Sequence, residues 1–161
     1  MHRIFAIIPH APSSAVTSTA RHLLRGQITA YRLRHLKTIL RYVLAIGMIY
    51  AGMAHFRNPE PFSNIVPDWL PAHRGLVYVS GFFEILGGAG LLVPRTRRAA
   101  AWGLVALYIA VFPANVNMAL HDLPIKGRHF PPLLLWLRLP LQAVLIAWAY
   151  WYTRDAAKQE E

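Results

Sequence analysis

Cysteine is absent from all 161 residues. That excludes a disulfide, a thiolate metal site, thioether-linked haem and thiol–disulfide exchange by this chain alone, so any redox role rests on a bound cofactor or a partner. Acidic side chains are almost as scarce, seven against 17 Lys and Arg, and none falls within residues 1–36. Eight histidines are present, but no HxxxH or HxxH spacing lies on a long apolar run. Metal ligation is therefore not expected.

Apolar sequence is plentiful: 55% of the residues are hydrophobic and 12% aromatic. The excess sits in four runs at 39–56, 75–93, 99–120 and 131–152. Each approaches the roughly 20 residues needed to cross a hydrocarbon core about 30 Å thick. The fold class expected is all-α: an integral membrane four-helix bundle over residues 37–153, with a basic tail at 1–36 and a charged tail at 154–161.

A net charge of +10 could suggest nucleic acid, but the cations lie where membrane topology puts them. Eleven flank one side, among them Arg21, Arg25, Arg32, Arg34, Arg95, Arg97, Arg98 and Arg154. Four flank the other: Arg57, Arg74, Lys126 and Arg128. The positive-inside rule then places both termini in the cytoplasm, with the lipid bilayer as the partner and no role for nucleic acid. The membrane expected is the bacterial cytoplasmic (inner) membrane.

Residues 1–36 carry Ala20, Leu24, Ile28 and Tyr31 at helical spacing among arginines, the pattern of a basic amphipathic helix on an anionic leaflet. An organellar presequence has the same composition, and an unstructured extension from a misplaced start is the third reading. On the first span, Gly47, Ala51 and His55 recur every four residues, which predicts a bundle-facing stripe of small residues ending in His55. The connection FRNPEPFSNIVPDWLPAHRG spaces Phe62, Ile65, Val66, Trp69 and Leu70 as on a short interfacial helix, either a lid or a plain anchor. The third span aligns Gly103, Ala106, Ala110 and Pro113 with Asn117, and turns Asn115 about 200° away at 100° per residue. Trp148, Tyr150, Trp151 and Tyr152 predict an aromatic belt at the inner end of the fourth span.

The stretch SGFFEILGGAG at 80–90 puts Glu84 in the middle of an apolar run. A charge at helix centre costs about 3 kcal/mol on insertion scales, so Glu84 is expected to face the bundle interior and find a partner. A rise of 1.5 Å per residue puts Glu84 about 13 Å and Arg138 about 9 Å below the outer edge. A charge-assisted Glu84–Arg138 pair fits those depths. His55, Asn115 and Asn117 also fall in the outer half, and Gln142 lies one turn from Arg138. One polar cluster opening outward would account for them all, either as register-fixing pairs or as a proton and ligand site.

The strings AGMAHFRNPEPFSNIVPDWLP at 51–71, SGFFEILGGAGLLVPRTRRAAAWGL at 80–104, VFPANVNMA at 111–119 and WLRLPLQAVLIAW at 136–148 resemble the DoxX family of small four-helix membrane proteins. The resemblance covers roughly residues 39–152. It implies a context of membrane redox assemblies and quinone chemistry, and it implies functional positions at His55, Glu84, Asn115, Asn117 and Arg138. The function expected is an accessory subunit of a quinone-linked system, not catalytic on its own, with a quinone as ligand and redox proteins as partners. The alternatives are a small proton-coupled transporter or lipid-handling protein working as a homodimer, and an assembly factor with no ligand.

Overall fold

The computed structural model describes residues 13–121, 123–124, 129 and 131–154. The side chains of residues 13–24, 26 and 28 lie outside the described set, and with them Ala20, Leu24 and Ile28 of the expected amphipathic face. Residues 1–12, the loop cations Lys126 and Arg128, and the tail beyond Arg154 also lie outside it.

Among the described residues there are five helices and no strand: α1 (Ser13–Arg57), α2 (Glu60–Ser63), α3 (His73–Leu92), α4 (Arg97–His121) and α5 (Pro132–Thr153). The chain divides into two units, Met1–Ile39 and Leu40–Glu161. In the first unit the backbone is helical from Ser13, and Tyr31 and His35 hold their rings 4.1 Å apart. All six candidate polar residues belong to the second unit.

Four helices are long and apolar enough to cross a membrane: Thr29–Arg57, His73–Leu92, Arg97–His121 and Pro132–Thr153. The last three match the expected spans to within about two residues. Their outward faces are apolar. Ile46 is 62% exposed, Ile109 59% and Val144 58%, a surface that water would not tolerate at this extent and that lipid covers without cost.

Prolines set most of the boundaries. Pro94 forces Val93 into an extended conformation (φ −92°, ψ 121°), so α3 ends at Leu92. The hydroxyl of Thr96 then donates to the Gly90 carbonyl at 3.0 Å and Arg97 Nε donates to that of Leu91 at 3.4 Å, covering orphan carbonyls of the last turn. Pro132 opens α5 at a position where its missing N–H is no loss. In the first connection, Pro59, Pro61, Pro67 and Pro71 hold the helix to four residues. The interfacial helix expected through Leu70 is therefore too long: beyond Ser63 the chain turns, because residues ahead of Pro67 and Pro71 are pushed out of the helical region. Ile65 and Val66 are buried there, while Trp69 stays exposed.

Buried positions on every span step by three and four residues. The seam runs through Ala45, Met48, Gly52 and His55 on α1; Val77, Gly81, Glu84, Gly88 and Leu91 on α3; Ala101, Leu104, Tyr108, Asn115 and Met118 on α4; and Leu135, Gln142, Ala149 and Tyr152 on α5, with half-buried Val111, Arg138 and Leu145 filling the steps and Leu44, Gly87, Val105, Ala119 and Thr153 buried beside it. This is a heptad seam, which drifts only about 20° per repeat on a straight helix. It corrects two expected faces. Gly47 is exposed, and a methyl added there would meet open space, because eight residues from His55 amount to a turn of about 80°. Gly103 and Ala106 likewise face outward and Asn115 occupies the inner seam, while Ala110 and Pro113 of the same stripe border a cavity together with Asn115.

Small residues bring α3 against both neighbours. A methyl group at residue 52 would sit 2.5 Å from the Gly81 carbonyl oxygen, and one at residue 88 would sit 2.6 Å from that of Ala45. Backbones of α1 and α3 therefore touch, as small residues permit in membranes. On the side toward α4, Gly87 receives the Leu104 side chain.

The seam encloses two apolar clusters. The larger joins Leu44, Ala45 and Met48 to Leu91, Leu104, Tyr108, Ala149 and Tyr152. Tyr152, expected in the aromatic belt, is fully buried in this core, whereas Tyr150 and Trp151 remain exposed. The smaller cluster packs Ile65 of the first connection against Met118, Ala119 and Leu135.

Candidate functional site

Between the two apolar clusters lie the buried polar side chains His55, Glu84, Asn115 and Gln142. Each occupies a seam position, so the same periodicity that builds the core directs them inward. His55 ends the α1 stripe against α3, in space that Gly81 leaves open: a methyl at 81 would meet the His55 Cβ at 2.7 Å. The His55 Nδ1–H donates to the Ala51 carbonyl one turn earlier at 2.8 Å. Its ring stacks on Phe62 of α2, with centroids 4.0 Å apart and planes 21° apart.

Glu84 is 8% exposed. Its Oε2 lies 3.4 Å from His55 Nδ1, yet it is fully buried and receives no hydrogen bond among the described residues. The Nδ1–H is already committed to Ala51, which explains why the contact is electrostatic and not a hydrogen bond. The expected Glu84–Arg138 pair is not the one formed. Touching backbones bring α1, and with it His55, to Glu84, whereas α5 packs against α4 and turns Arg138 toward Met118 there. Arg138 instead donates from Nη1 to the Met118 sulfur at 3.5 Å, a weak acceptor.

A cavity of about 320 Å³ opens beside these groups, within the range of small-molecule sites. His55, Glu84, Asn115 and Arg138 all border it, together with Ser80; the other lining residues are apolar, from the first connection and from α3 and α4. Four of the six candidate positions thus meet at one cavity.

The other two act elsewhere. Gln142 accepts from Asn115 Nδ2 and donates through Nε2 to the Tyr108 carbonyl. That carbonyl adjoins the one freed by Pro113 within α4, so α5 supplies a donor where the proline disturbs the ladder. Asn117 donates to the Ile65 carbonyl at 3.1 Å and pins the first connection to α4.

Two lining residues carry more than the sequence pattern suggests. Phe62, expected on an interfacial helix, covers the imidazole. Ser80 shares the Glu84 stripe, and its hydroxyl donates to the Val77 carbonyl at 2.9 Å. A Phe shortly after the histidine, in a proline-broken connection, is the signal that could reveal the first.

No group of three or more His, Asp or Glu side chains able to hold a metal ion occurs among the described residues. No curated protein and no solved structure matches the chain. Residues 44–153, which include all four spans' seam positions from Leu44 onward and the whole cavity, match the family model described as "Domain of unknown function (DUF8561)", and the chain belongs to that family.

Proposed function

We propose that this protein is a DoxX-like integral membrane protein of the bacterial cytoplasmic membrane, with both termini cytoplasmic, acting as an accessory subunit of a quinone-linked redox system. It holds the head of a quinone-type lipid and is not catalytic on its own. The observation that carries this reading is the cavity: an apolar space of about 320 Å³ at membrane depth, bordered by a carboxylate whose Oε2 accepts no hydrogen bond, and by a guanidinium that donates to a thioether, among the described residues. Ligand sites are mostly apolar, with a few polar groups that fix orientation. Polar side chains left without strong partners inside a membrane mark function more often than stability.

The reading of polar residues as structural glue fits two positions, Gln142 and Asn117, whose amides are spent on protein carbonyls. It does not account for Glu84 and Arg138.

Extraction into lipid nanodiscs without detergent, followed by mass spectrometry of co-purifying small molecules, tests the proposal. A quinone-type lipid is expected with the wild type and should be depleted in a stably folded Glu84→Gln variant. Equal retention by both proteins, or no such lipid in either, would refute it.

A further inference from the structure

The polar groups around the cavity are unevenly spent. His55 commits its Nδ1–H to Ala51, Ser80 commits its hydroxyl proton to Val77, and Asn115 commits its Nδ2 to Gln142. After those bonds, His55 and Ser80 offer only acceptor capacity, an imidazole Nε2 lone pair in the neutral ring and hydroxyl lone pairs, while Asn115 offers its amide carbonyl and one remaining N–H. Glu84 adds a carboxylate whose Oε2 is buried and accepts no hydrogen bond among the described residues. Its Oε2 faces the N–H edge of His55 at 3.4 Å, an orientation that suits an acceptor and opposes a second O–H. Arg138 is the one lining side chain with several N–H groups unspent among the described residues.

From this imbalance we infer that the cavity takes its ligand in a hydrogen-bond-donating form: a head bearing at least one hydroxyl, donated toward Glu84, with an oxygen accepting from Arg138. Resting on the proposed quinone-linked function, this makes the hydroquinone, not the quinone, the resident species. A quinone carries acceptors alone. It would satisfy Arg138 and leave Glu84 buried beside a second unpaired oxygen, and an acceptor desolvated without a donor is the costly arrangement. A hydroquinone hydroxyl both donates and accepts, so one head serves both walls. The occupant is bound and no electron moves in this step; oxidation belongs to the partner that takes the hydroquinone from the site.

The test uses the full chain in nanodiscs under anaerobic conditions. Equilibrium dialysis with mass-spectrometric readout compares a short-chain hydroquinone, its quinone, its dimethyl ether and a monoacylglycerol, a diol with no redox chemistry. The hydroquinone is expected to bind about 10- to 100-fold tighter than the quinone or the ether, as befits one hydrogen bond to a charged acceptor. Glu84→Gln should narrow that gap, since an amide offers both donor and acceptor. The wild-type comparison stands even if the variant does not fold. Quinone or ether binding as tightly as the hydroquinone would overturn the inference and leave the redox reading in place. Glu84-dependent retention of the monoacylglycerol alone would overturn the redox reading while the donor requirement held. Retention of none of the four would overturn the inference.

Discussion

Gly47 and Gly52 lie five residues apart on α1 and face opposite fates on acquiring a methyl group. At residue 47 there is no neighbour within 4 Å, whereas at residue 52 the new carbon would fall 2.5 Å from the Gly81 carbonyl oxygen and 2.7 Å from Ile85 Cγ1. The Ile85 side chain has some freedom to turn away, but the carbonyl belongs to the α3 backbone. Ordinary contact begins near 3.4 Å, so the two helices must part by most of an ångström. Replacing glycine by alanine inside a helix is worth up to about 1 kcal/mol in propensity, and forcing a methyl into a filled space costs about 1–3 kcal/mol. Gly47→Ala should therefore stabilise by up to about 1 kcal/mol. Gly52→Ala should lie about 1–3 kcal/mol below it, since the propensity gain is common to both. Reversible unfolding in mixed micelles measures the difference. Parting α1 from α3 also lengthens the 3.4 Å contact between His55 and Glu84, so Gly52→Ala should lose bound ligand in nanodiscs while Gly47→Ala keeps it. Equal stability and equal ligand content in the two variants would refute the backbone-contact account.

Two further outcomes are expected. Asn115→Leu removes the donor to Gln142 and strands a buried amide oxygen at a cost of about 1–3 kcal/mol; the cost should fall when Gln142→Leu is added, and a double-mutant cycle reads the difference as coupling. Because the chain has no cysteine, single replacements report topology against no background: Trp69→Cys should react with a membrane-impermeant maleimide in intact spheroplasts, and Arg95→Cys only in inverted vesicles. The reverse pattern would invert the proposed orientation.

The spans and most of the inward-facing groups were legible in the sequence because lipid allows few solutions. Long apolar runs must be helices, and an ionisable residue within one must turn inward. Register was harder. The stripe drawn every four residues from Gly47 to His55 rotates away from the seam, the one from Gly103 keeps heptad steps but lies two residues out of phase with it, and the heptad that wins is defined by partners: Ala45 and Gly52 matter because Gly88 and Gly81 face them. Depth alone allowed Glu84 to reach Arg138, and it was the adjacency of α1 and α3 that gave it His55. The first connection misled for a local reason, since apolar spacing there looked helical while the prolines cut the helix to four residues.

The pairing of Glu84 with His55 also bears on how the chain enters the bilayer. Membrane segments leave the ribosome in order, and a carboxylate released into lipid alone meets the insertion penalty unaided. Its contact here is to the preceding span, already delivered when α3 emerges, and glycines on both helices let the two close into a hairpin at once. Had the partner been Arg138, the carboxylate would have waited through the synthesis of α4 and the first turns of α5. The site's central acid is thus chaperoned by its neighbour during biogenesis, and the guanidinium, arriving last, reaches the finished cavity against the Met118 thioether.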